Sequence, residues 1–129
     1  MSICHPGFES RHIIVADEDR DVVGFVITTL RDDGHAVFHA YDGLAATELA
    51  LSLKICDLVI SNTRVDGETG VDLIHQLRKH MPKLPVLYLA NLGRSTSELE
   101  RQLPGDVTIL REPFTADELR LAVRSLLSS

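Results

Sequence analysis

Several side chains able to carry chemistry stand at the ends of apolar runs. Ile13-Ile14-Val15-Ala16 leads into Asp17-Glu18-Asp19, and the run Val107 to Arg111 leads into Glu112-Pro113-Phe114-Thr115. Between them, Leu58-Val59-Ile60-Ser61 ends on Asn62, with Arg64 and Asp66 close behind. The run Pro85 to Ala90 ends on a bare methyl group before Asn91. Carboxylates hold cations and protons, whereas a carboxamide is neutral, a poor nucleophile, and presents two N–H donors. Three carboxylates brought together would repel one another and raise at least one pKa unless a cation intervened. Of the histidines, His5, His12, His35, His39, His75 and His80, the one pair four residues apart, His35 and His39, falls on a run read as a strand, so no helical i, i+4 metal pair is present. His35 and His39 share a strand parity that a metal pair would need, but the reading preferred for them is exposed strand-end histidines.

The elements that must position these groups follow from periodicity. Five apolar runs read as strands: His12 to Ala16, His35 to Ala40, Asp57 to Ser61, Pro85 to Ala90 and Val107 to Arg111. The segment from Arg20 to Arg31 puts Val22, Val23, Val26, Ile27 and Leu30 on one helical stripe, and Gly34 terminates it. Asp42 is a suitable N-cap for a helix from Gly43 to Leu53, and a third helix runs from about Gly70 to His80, before Met81-Pro82. Ser95 with Glu98 forms a capping-box pattern for a short helix reaching Leu103, and Thr115 with Glu118 repeats it for the last helix. Strict β/α alternation with short continuous apolar strands predicts an α/β fold, a parallel sheet covered by helices on both faces. Residues 1–10 are expected to be a flexible N-terminal tail, and 11–129 one domain.

The acidic pair after the first strand, the Gly67 to Gly70 loop after the third and the Pro-Phe-Thr after the fifth resemble a receiver domain of two-component response regulators. The resemblance covers nearly the whole chain. It implies a doubly wound, flavodoxin-like (βα)5 sheet of order 2-1-3-4-5, with ligands gathering at the carboxyl ends of strands 1 and 3, where the order reverses. In that family two acids after strand 1 hold Mg²⁺, and an aspartate ending strand 3 accepts a phosphoryl group. A Ser or Thr ending strand 4 and a Lys after strand 5 grip its oxygens. Asp17 and Glu18 match the acidic pair, although two acids at a helix N-terminus also serve the macrodipole alone. Asn62 matches the acceptor, Ala90 the hydroxyl and Glu112 the lysine, so each of those three is substituted. Asn91 stands where the family keeps a very small residue. Asp66 aligns with a loop position off the metal site and reads as a turn residue before Gly67. Pro113 matches the family's cis proline. Arg64 hangs near the pocket and is expected to pair with Glu18 or Glu112, the alternative being a solvated loop arginine.

The resemblance therefore implies a degenerate receiver, or pseudoreceiver, that binds a protein partner without accepting phosphate. It is expected not to be an enzyme, to have no cofactor, and to bind Mg²⁺ weakly at most. The partner is a histidine kinase, another signalling protein or a second copy. Its expected face lies on the last two helices and strand 5, where Glu98, Arg101, Arg111, Arg120 and Arg124 are offered. Two alternatives stay open: a working phosphoacceptor that uses a displaced residue with Mg²⁺, and a small-molecule sensor using the altered crevice. The chain of 129 residues suits one domain, and 44% hydrophobic with 25% charged residues is a globular composition. A net charge of −6 argues against nucleic acid as partner. No apolar stretch approaches the ~20 residues of a membrane span. No secretory signal opens the sequence, and Cys4 and Cys56 read as free thiols of a reducing cytoplasm.

Overall fold

Short β-branched and leucine-rich runs, buried on both faces, build the centre of this protein. The structure is a computed structural model that describes residues 11–16, 20–40, 43–53, 56–61, 68–90, 101 and 103–128, with only the backbone at 43, 44, 53 and 68–72. Its elements are β1 (His12–Ala16), α1 (Arg20–Asp32), β2 (Ala36–Ala40), α2 (Gly43–Leu53), β3 (Leu58–Ser61), α3 (Glu68–His80), β4 (Val86–Ala90), β5 (Thr108–Arg111) and α4 (Ala116–Leu127). The strands form one parallel sheet of order β2-β1-β3-β4-β5, as expected. Its register brings the carboxyl ends together: Ala16 pairs with Ala40 and Ser61, and Ala90 with Arg111. The short helix expected from Ser95 to Leu103 lies almost wholly outside the described residues; Arg101 is helical and Leu103 is buried.

Strand alternation splits the core in two. Ile13, Val15, Leu58, Ile60, Leu87 and Leu89 face α1 and α4, where they meet Val23, Val26, Leu30, Leu119 and Val123. On the other face Ile14, Ala16 and Val59 pack with Ala46 and Ala50 of α2 and Leu73 and Leu77 of α3, while Val86, Tyr88 and Ala90 meet Ile74 and Leu103. The α1 stripe differs slightly from the expected one: Thr29 is buried on it, whereas Val22 and Ile27 are only partly so.

Helix ends are set by local chemistry. Gly34 takes φ of 91°, a left-handed conformation that glycine adopts without cost. Its N–H donates to the Arg31 carbonyl, and the next N–H, from His35, reaches the Leu30 carbonyl at 3.2 Å. This is a Schellman cap, which satisfies two carbonyls that the helix leaves open. At α4 the expected capping box is present: Thr115 Oγ accepts from the Glu118 N–H and the Thr115 N–H donates to Glu118.

The cap corrects the reading of His35 as exposed. The turn drives that ring inward to 6% exposure, and the Arg11 N–H donates to its Nδ1 at 3.2 Å. Burial, foremost, holds the His35 pKa below its usual value; Arg11 adds to this, and the carboxylates of Asp33 and Asp57 oppose it. The folded state therefore favours the neutral ring. Stability from this group is complete above the unfolded value of about 6.5 and is lost as pH falls from there through the lower folded value. The melting temperature should drop between pH 7.5 and 5.5, and His35→Gln should reduce that drop. An unchanged slope in the variant would remove His35 from the account.

Candidate functional site

The carboxyl edge of the sheet is where the candidate residues converge. Small side chains end its four neighbouring strands: Ala40, Ala16, Ser61 and Ala90, all buried. Each is held there by the parallel ladder, so the residues that follow in the chain leave the sheet side by side. Ser61 sits between Ala16 and Tyr88. Its Oγ is buried and has no hydrogen-bond partner among the described residues. A buried hydroxyl without a partner loses the full benefit of hydration.

Asp17, Glu18, Asn62, Arg64, Asp66, Asn91 and Glu98 lie outside the described residues. The expected pairing of Arg64 with Glu18 or Glu112 therefore also lies outside the described residues. Of the other candidates, Ala90 is 1% exposed and ends β4 as a methyl group. Glu112 is half-buried just beyond β5, and its N–H donates to the Ala90 carbonyl at 2.9 Å. That bond fixes the backbone of Glu112 against the end of β4. The Glu112–Pro113 peptide bond is cis, the isomer the resemblance implied. Phe114 then turns back over the α1/α4 side, where its ring lies 6.0 Å from that of Phe25.

The strands place a limit on what Glu112 can do. Neighbouring strands are spaced ~4.8 Å apart, so β5, three places from β1, runs roughly 14 Å away from it. A glutamate anchored there is poorly placed to share one cation with residues following β1. Among the described residues no three His, Cys, Asp or Glu side chains group as metal ligands.

On the expected partner face, Arg101, Arg111 and Arg124 are exposed. Arg120 departs from that picture. Its Nε lies 3.2 Å from Asp33 of the α1 end and its Nη1 3.6 Å from Asp117, an ion pair that ties α4 to α1. The Nε contact has the distance of charge pairing but not the angle of a hydrogen bond. Arg120 therefore serves the fold first, since its side chain is mostly covered.

Periodicity overlooked a second polar cluster at the opposite, amino edge of the sheet. Asp57 accepts from the His12 N–H at 2.8 Å, and its own N–H donates to the His12 carbonyl. Arg11 lies 3.9 Å from the same carboxylate. The signal in the sequence was an acid immediately before an apolar run, which is also what an ordinary strand start shows. The free thiol of Cys56 beside it is pushed up to about 11, chiefly by burial, so it stays protonated.

The family described as response regulator receiver domain matches residues 13–124. Transcriptional regulatory protein TctD of Salmonella typhimurium is 29% identical over 115 residues, covering 89% of this chain and 51% of that protein. The chain thus spans about half the length of this relative. A response regulator receiver protein from Sinorhizobium medicae superposes with a TM-score of 0.82 at 27% identity, over 94% of this chain and 97% of the other. Chemotaxis protein CheY4 of Vibrio cholerae gives a TM-score of 0.80 at 23% identity, over 92% and 100%, a likeness of fold. Among the described residues no helix is long and apolar enough to cross a membrane.

Proposed function

The chain belongs to the response regulator receiver family, and from that premise we propose that it serves two-component signalling as a cytoplasmic protein-binding module that takes no phosphoryl group. The observation that carries this reading is the set of residues at the strand ends. Asn62, Ala90 and Glu112 stand where the family has its acceptor, hydroxyl and lysine. An amide offers no anionic oxygen for in-line attack, a methyl group donates no hydrogen bond, and a carboxylate repels the incoming dianion. Signalling then proceeds through surface complementarity, with no catalytic step. The exposed Arg101, Arg111 and Arg124, together with Leu121 at 66% exposure, offer a mixed apolar and cationic face to a histidine kinase, another signalling protein or a second copy. Incubation with Mg²⁺ and a small phosphodonor, followed by intact-mass measurement, tests the reading directly. A mass gain of one phosphoryl group would overturn it.

The divalent ion that the family implies does not fit this donor set. Mg²⁺ demands a near-ideal octahedron of oxygens and gives up water reluctantly. Asp17 and Glu18 remain, but an amide, Asn62, stands where the family has its third carboxylate, and the acid at Glu112 follows β5, three strands from β1. Arg64 belongs to the same proposal, as the cation that neutralises these acids. Titration calorimetry at neutral pH should show no submillimolar Mg²⁺ affinity. Binding in that range would restore the family's metal site to this chain.

A further inference from the structure

The amino edge of the sheet, remote from the acceptor end, carries a groove of about 530 Å³. Its floor is apolar, made by Met81 and Leu84 of the turn before β4 and by Leu126 and Leu127 of the end of α4. Cys56 forms one wall. Two cations, Arg11 and Lys83, and the carboxylate of Asp57 stand around it. Asp57 is already engaged with the His12 N–H and faces Arg11, which leaves the exposed Lys83 as a cationic site on an otherwise apolar depression.

We propose that the groove is the docking site of this chain's own amino-terminal segment, with Phe8 seated on the apolar floor and Glu9 beside Lys83. Three observations select this occupant. Arg11 lines the groove, so the segment that precedes it in the chain is tethered at the rim. Phe8 is only three residues before Arg11 and hence within ~11 Å of it along even a fully extended chain. The sequence Phe8-Glu9 also supplies the large apolar group and the single negative charge that this floor and Lys83 complement. Because the segment is tethered, its effective concentration is in the millimolar range, so weak contacts suffice to keep the groove covered.

Cys56 reports on the occupant because it forms the groove wall. In the full chain carrying Cys4→Ser, the rate of Cys56 alkylation by iodoacetamide should rise at least threefold on Phe8→Ala. A synthetic peptide of residues 1–10 with the same Cys4→Ser change, added to the Phe8→Ala chain, should slow it again. Lys83→Glu should raise the rate by a smaller factor. Circular dichroism should show both chains fully folded at the temperature of alkylation, which separates groove opening from unfolding. Equal alkylation rates with and without Phe8→Ala would overturn the proposal. Protection that disappears on dilution would overturn it too, since that assigns the groove to a second copy.

Discussion

Exposed to Mg²⁺ and a small phosphodonor, the wild-type chain is expected to keep its mass, and Asn62→Asp alone is expected to change that little. The substitution restores a nucleophile but leaves an acid, Glu112, where the family has its lysine, and Ala90 without a hydroxyl. Unit charges ~4 Å apart interact by about 4 kcal/mol at an effective dielectric of ~20, so an acid in place of the lysine replaces an attraction with a repulsion of comparable size. At ~1.4 kcal/mol per tenfold, losing the attraction alone amounts to a deficit on the order of 10³-fold in labelling rate, and the repulsion adds to it. The combination Asn62→Asp, Ala90→Thr and Glu112→Lys should therefore label far faster than Asn62→Asp, with Glu112→Lys giving the larger share. Thr at 90 must also fit a site only 1% exposed, which is why its own contribution is smaller. Efficient labelling of Asn62→Asp by itself would show that Glu112 points away from the phosphoryl position. Labelling of the unaltered chain at Asp66 would establish the displaced acceptor instead.

How far the sequence could be read depended on which force decided each feature. Burial decided the strands, and the apolar runs marked them to within one residue. Three of the four misses at their starts share a cause: the N–H of His35 goes to Leu30 and that of Val107 to Pro104, while Pro85 has none to give. Those residues belong to turns although their side chains look like strand. The start of α3 at Glu68, two residues before the expected Gly70, reflects the same limit, since propensity penalises glycine in a helix that tertiary contacts stabilise regardless. Thr115 and Glu118 were legible because a capping box is wholly local. His35 was not, because its burial follows from a glycine cap and a neighbouring strand, neither visible in the residue itself. At the candidate site the residue types at 62, 90 and 112 were legible by position alone. The burial of the Ser61 hydroxyl, without a partner among the described residues, and the anchoring of Glu112 to Ala90 required the ladder.

Arg78→Ala should be among the most destabilising surface-adjacent substitutions, by about 2–3 kcal/mol and hence several degrees of melting temperature. The guanidinium lies in the last turn of α3, 13% exposed, and makes two different contacts. Its Nε donates to the carbonyl of buried Leu84 at 2.9 Å, and its Nη1 reaches both oxygens of Asp106 at 2.9 and 3.1 Å. One side chain thus joins the end of α3, the entry to β4 and the turn before β5. The two contacts are unequal in worth. Asp106 is 67% exposed, so water screens the ion pair to within about 1 kcal/mol, whereas truncation leaves the Leu84 carbonyl without this donor at a cost of ~1–3 kcal/mol. Asp106→Ala should accordingly cost less than half as much as Arg78→Ala. The hydrogen bond from Arg78, foremost, holds the Asp106 carboxyl below the usual carboxylate range. That part of the stability is present above the unfolded value of ~3.9 and is lost as pH falls through the lower folded one. The penalty of Arg78→Ala should therefore shrink in strong acid but persist, because the bond to Leu84 carries no titrating partner. Equal losses from Asp106→Ala and Arg78→Ala, or a penalty that vanishes in acid, would transfer the stabilisation to the ion pair and refute this division.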